Sequence, residues 1–179
     1  MTEIRKEAGK WNCITRVAKF PDREAYEKAV REGYLDAVIR GEQPAPEGVE
    51  VVVKEGNLLL NEGINQGIWP LVCGDPNATN YSNTNARLGV GDSDTAADPS
   101  QTDLLGTNKL YKSMDSGYPV YGTNQKAVFR ATFNEDEANW DWNEWSVSNT
   151  ANINLNRRVE YIGTKNGGVW VLEVELQLS

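Results

Sequence analysis

The chain has 179 residues, 39% of them hydrophobic and 25% charged, which suits a folded protein with one substantial core and excludes a disordered chain. A formal charge of -8 argues against general binding to nucleic acid or an anionic membrane, and it permits contact with a basic partner surface. No stretch approaches the roughly 20 consecutive apolar residues of a bilayer-crossing helix.

The first ten residues are polar and lack the apolar centre of a signal peptide, so the chain is expected to be made and used inside a cell, or assembled there before release. Residues 11–20 alternate loosely and predict a strand. Pro21-Asp22 then opens a helix: Asp22 can cap the free backbone donors, and Tyr26, Ala29, Val30, Tyr34, Ala37 and Val38 recur near a 3.6 period, with Gly33 weakening its middle. The proline-containing run 41–48 is a stiff polar loop, and residues 50–54 form a short strand. Residues 57–73 predict a second helix, with Leu60, Ile64, Ile68, Leu71 and Val72 on one face, Pro70 bending or ending it, and Gly74 as the stop.

After Gly74 the character changes. Residues 75–85 are rich in Asn and Asp, whose side chains compete for backbone hydrogen bonds and favour turns. Strands are predicted at 86–90, 109–114, 127–133, 142–148, 157–163 and 169–178. In the last, Trp170, Leu172, Val174, Leu176 and Leu178 face a core, while Val171, Glu173, Glu175 and Gln177 face water. Lys165-Asn166-Gly167-Gly168 has the chemistry of a tight hairpin joining the last two strands. The expected fold is mainly β, or α+β: an antiparallel β-sandwich or partly open barrel with one or two helices in the N-terminal half. Residues 1–74 supply a strand-helix-strand-helix part and residues 75–179 an antiparallel β domain, packed as one compact unit.

Three of the six tryptophans fall within Trp140-Asp141-Trp142-Asn143-Glu144-Trp145, more apolar area than a turn needs, so the stretch anchors a core or a contact surface. Strict alternation puts Trp140 and Trp142 on one face and Trp145 on the other; a bulge between them would bring all three to one side. Arg157-Arg158 is a short basic spot, one arginine of which can pair with an acidic neighbour or a partner subunit.

The chain contains no histidine, which removes the usual neutral-pH general base and the commonest metal ligand. Cys13 and Cys73 sit in apolar surroundings and read as buried free thiols. A carboxylate-pair hydrolase needs only two acids flanking a cleft, but Glu135-Asp136-Glu137 reads better as a solvated turn, and no enzymatic activity is expected. Gly89-Val90-Gly91 lacks the spacing and the following helix of a dinucleotide-binding loop. Asp92, Asp94, Asp98 and Asp103 imitate part of a calcium loop, with Ala97 where an EF-hand needs glycine. A structural loop held by Asx-type turns is the stronger reading, and no cofactor is expected beyond a weak case for calcium at Asp92, Asp94 and Asp98.

Several phrases resemble virion structural proteins of tailed bacteriophages: residues 58–65, 86–96, 101–104, 116–119, and 129–133 leading into 138–145. The likeness spans residues 55–165, and Gly89-Val90-Gly91-Asp92 with its polar loop is also similar to a stretch near the base of some tail-collar fibre proteins. The resemblance implies a non-enzymatic subunit present in many copies on the virion, made in the host cytoplasm, with the major capsid protein or other virion subunits as partners and neither nucleic acid nor membrane. Capsid decoration or cement leads, because no repetitive fibre shaft is present; a tail or collar component, with a glycan-binding role, is the alternative. Trp140, Trp142, Trp145, Tyr118 and Arg157 are the candidate interface or core anchors.

Overall fold

The computed structural model describes residues 9–179. Most of the polar N-terminal stretch read for a signal peptide lies outside the described residues.

The chain opens with β1 (Trp11–Phe20), α1 (Arg23–Arg31), α2 (Leu35–Ile39), β2 (Glu50–Glu55) and β3 (Leu58–Leu59). A π-helical segment, Gly63–Ile68, runs into the single turn α3 (Trp69–Val72). The remainder is strand: β4 (Ala86–Gly91), β5 (Lys109–Ser113), β6 (Val120–Thr123), β7 (Lys126–Phe133), β8 (Asp141–Asn149), β9 (Asn156–Thr164) and β10 (Val169–Leu178). The strands form two antiparallel five-stranded sheets, in the orders β2-β1-β10-β7-β6 and β3-β9-β8-β4-β5. Among the described residues no helix is long and apolar enough to cross a membrane.

One apolar cluster draws on both sheets. Val17, Phe129, Leu172 and Val174 come from the first, and Leu88, Val90, Trp145 and Val147 from the second. The Trp145 indole N–H donates across the sheets to the Thr15 hydroxyl at 2.9 Å. Pairing of β8 with β9 shifts register between Trp142 and Glu144, so Trp142 and Trp145 both reach this core although they lie an odd number of positions apart.

The first helix begins as its sequence predicts, with Asp22 Oδ1 accepting from the Ala25 amide at 2.8 Å. It then divides. Gly33 takes φ +75°, a left-handed conformation that stops α1 and lets α2 start at Leu35. Val30 is consequently exposed, while Ala29 and Ile39 pack on Phe20 and Val171.

That packing corrects the expectation for the last strand. Trp170, Leu172, Val174 and Leu176 face the core as predicted, but Leu178 at the strand's end is exposed, and Val171 and Glu173 are fully buried rather than solvated, because α1 and α2 cover the outer face of the first sheet. The helix predicted over 57–73 also changes. Leu58–Leu59 pairs with Asn156 and Arg157 as an edge strand, and helical structure starts only afterwards. A Cβ at Gly63 would lie 2.5 Å from the Leu155 carbonyl oxygen, so this helix presses its backbone against residues 154–155. Leu60 and Ile68 face the interior, whereas Leu71 and Val72 are exposed.

The expected hairpin at 165–168 is corrected as well. β9 and β10 belong to different sheets, and the turn carries the chain from one to the other. Gly167 and Gly168, at φ +77° and +69°, supply the reversal that the sequence signalled, but a tight reversal serves a crossover as well as a hairpin. The β6–β7 hairpin, unmarked in the sequence reading, turns on Asn124 and Gln125, both left-handed at φ 55° and 53°.

Candidate functional site

The residues singled out from sequence lie mostly inside the molecule. Trp142 is fully buried between Phe133 and Trp170, edge-on to both at centroid distances of 4.8 and 5.0 Å. Its indole N–H donates to the Ala138 carbonyl at 2.9 Å. Trp140 packs half-buried at the edge of the same cluster. Tyr118 is stacked beneath the Arg130 guanidinium, 4.5 Å from its ring centroid.

Arg157 pairs with the acidic neighbour Glu144. Both side chains are fully buried, with Arg157 Nε donating to Glu144 Oε2 at 2.7 Å and Nη2 in charge contact at 2.6 Å. Arg157 Nη1 donates to Gln101 Oε1 at 2.8 Å. Glu144 also accepts the backbone N–H groups of Leu105 and Gly106, at 3.1 and 2.6 Å, so the pair fastens the 92–108 loop to the outer face of the second sheet. This explains Gly89-Val90-Gly91 without a nucleotide. A Cβ at Gly89 would fall 2.4 Å from the Tyr111 ring, and one at Gly91 would fall 2.3 Å from Glu144 Oε1. Gly89 makes room for the partly buried Tyr111 ring and Gly91 for the buried Glu144 carboxylate.

The outer face of the first sheet carries a matching arrangement. Glu173, fully buried, accepts from Arg130 Nε and Nη2 at 3.1 and 2.6 Å, with Arg16 and Arg40 at 3.3 and 3.6 Å. Arg130 Nη1 reaches Asp36 of α2 at 2.5 Å, and the guanidinium holds the Asp36 carboxyl below its ordinary value of 3.8. These buried charges link loops and helices to sheets.

The aspartates of the 92–103 region do not converge. Asp92 accepts from the amide and side chain of Asn108, Asp98 accepts from the Ser100 amide and hydroxyl, and Asp103 binds Lys109 and Tyr111. Among the described residues no group of three His, Cys, Asp or Glu side chains is placed to hold a metal ion. The thiols differ from expectation in one respect. Both are free, and burial pushes the Cys13 thiol up to about 11, but Cys73 is exposed because it follows the last helical turn out of the core.

The surface feature that stands out was not legible in any single motif. An apolar groove of about 580 Å³ opens where α3 and Tyr81 face the β6–β7 hairpin, floored by Phe129, Leu155 and Leu176 and bordered by Leu71 and Leu178. A second hollow of about 340 Å³ shares Tyr81, Ala127 and Phe129 with it and adds Tyr121 and Asn80. Exposed apolar side chains gather on the same elements: Trp69, Leu71 and Val72 at α3, Val120 and Tyr121 on β6, and Leu178 at the end of β10. Tyr121 is 76% exposed and Val72 68%, values unusual for side chains this apolar when clustered. The one local signal was Trp69-Pro70-Leu71-Val72, apolar on every side of a turn that can bury only one.

Comparison with known proteins returned no matching family model, no matching curated protein and no matching solved structure.

Proposed function

We propose that this protein is a non-enzymatic virion structural protein of a tailed bacteriophage that docks on the assembled capsid and stabilises it as a cement or decoration subunit. In this reading the two sheets form an antiparallel β-sandwich rather than a barrel, which the shared core and the Trp145–Thr15 bond between sheets support. The observation that carries the proposal is the apolar groove bordered by exposed Leu71 and Leu178, together with the adjoining hollow at exposed Tyr121. Such a surface gains free energy by leaving water, and its occupant is an apolar segment of the major capsid protein. The formal charge of -8 favours a basic patch around that segment. Binding the assembled shell better than its free subunits stabilises the shell by mass action, and many copies act together.

Cosedimentation of the purified protein with undecorated shells tests the proposal. Leu71→Asp, at an exposed position, should abolish binding and leave the melting temperature unchanged. Undiminished binding by that variant would remove the groove from the account.

A tail or collar component with a glycan-binding role is the second reading. The smaller hollow favours it, since Tyr81 and Tyr121 offer aromatic faces beside Asn80 and Ser82, groups that stack on and hydrogen-bond to saccharides. A glycan array probed with wild type and Tyr121→Ala separates the two: signal lost in the variant supports the collar reading, and no signal from wild type rejects it.

A further inference from the structure

The turn between β9 and β10 contains the single Asn-Gly pair of the sequence, Asn166-Gly167. Asn166 is exposed, and the glycine after it leaves the next backbone nitrogen open to approach. In such a pair that nitrogen can attack the asparagine side-chain carbonyl. Gly167 N bonds to Asn166 Cγ, the Cγ–Nδ2 bond breaks, and Nδ2 departs as ammonia carrying the proton that Gly167 N loses. Water then opens the resulting cyclic imide at one of its two carbonyls, leaving aspartate or isoaspartate. The reaction requires the nitrogen to be free and the two atoms to reach an attack geometry.

The fold occupies the nitrogen's hydrogen and crowds the turn. The Gly167 N–H donates to Asn139 Oδ1 at 3.0 Å. That oxygen also accepts from Lys165 Nζ at 3.0 Å, and Asn139 is itself fixed through Nδ2, which donates to the Glu135 carbonyl at 2.8 Å. Lys165 is buried, and its ammonium is further held by the Asn134 carbonyl at 2.7 Å. On the other side, a Cβ at Gly168 would stand 2.5 Å from the Phe20 carbonyl oxygen, so the turn lies close against the end of β1 and has little room to rearrange.

We propose that Asn166 is a site of non-enzymatic deamidation held in check by Asn139, whose side-chain oxygen occupies the Gly167 N–H. The consequence is structural. Isoaspartate lengthens the main chain by one carbon inside the turn that passes from one sheet to the other, and it adds a negative charge next to Lys165. A subunit that must persist on an assembled particle depends on that turn remaining intact.

The test follows deamidation at Asn166 by peptide mass spectrometry and isoaspartate detection in mildly alkaline buffer, for wild type, Asn139→Leu and Asn139→Asp. Losing the acceptor should accelerate Asn166 deamidation about tenfold, the rate equivalent of one ordinary hydrogen bond. Asn139→Asp keeps an acceptor oxygen and should stay near the wild-type rate. Amide hydrogen exchange on the same samples distinguishes a local opening, with Gly167 deprotected and the β10 amides still protected, from unfolding. Equal rates in wild type and Asn139→Leu, or an Asn139→Asp variant as fast as Asn139→Leu, would overturn the proposal. So would a wild-type Gly167 amide exchanging at the free-chain rate, a result that does not depend on any variant folding.

Discussion

Trp142 meets Phe133 and Trp170 edge-on and spends its only polar atom on the Ala138 carbonyl, so nothing of the side chain is left for a partner. Trp142→Ala should cost about 3–5 kcal/mol in denaturant unfolding, the range for a large aromatic deleted from a packed core. A variant with an unaltered midpoint would contradict that placement. The cysteines make a second check at this scale. Thiol reagents attack the thiolate, and Cys13 is buried with its thiol raised to about 11, whereas Cys73 is exposed. Titration of the native protein should show one rapid thiol, lost in Cys73→Ser, and a second only on unfolding. Two rapid thiols would mean that β1 opens far more readily than its pairing with β10 and β2 implies.

At the scale of elements, the helices α1 and α2 are bound to the first sheet partly by charge. Asp36 sits beside Arg130, which holds its carboxyl below 3.8, so ionised Asp36 contributes stability above that ordinary value. The contribution is lost as the pH falls through the lowered folded value. The difference in stability between wild type and Asp36→Asn should therefore be present at neutral pH and shrink in acid below 3.8. Asp36 is more than half exposed, so the difference is modest, and a gap that stays constant with pH would contradict the assignment. The same cover explains what the sequence concealed. The inward face of β10 was legible because Trp170, Leu172, Val174 and Leu176 alternate without exception. The burial of Glu173 was not, since an alternating Glu looks solvated until three arginines and two helices are placed over it. The strand β3 was hidden in the same way: Leu58-Leu59 fits a helix or a strand, and only the edge of β9 decides between them. The 165–168 turn carries correct local chemistry, but whether it closes a hairpin or crosses between sheets depends on which strands pair elsewhere.

At the scale of the molecule, the clustered tryptophans, Arg157 and the groove play different parts. Trp142 and Trp145 build the core between the sheets, and Arg157 locks the 92–108 loop through Glu144. The candidate contact surface lies instead among Leu71, Tyr121 and Leu178, contributed by segments far apart in sequence. No periodicity joins these positions, which is why sequence reasoning pointed to the tryptophans and missed the groove. The proposal of a capsid-binding subunit makes one geometric demand, that this groove face the shell. Electron cryomicroscopy of intact particles carrying the chain measures that directly. The account expects repeated density on the head shell, with α3 and the β6–β7 hairpin turned toward the capsid protein; density confined to the tail, or a groove pointing away from the shell, would contradict it.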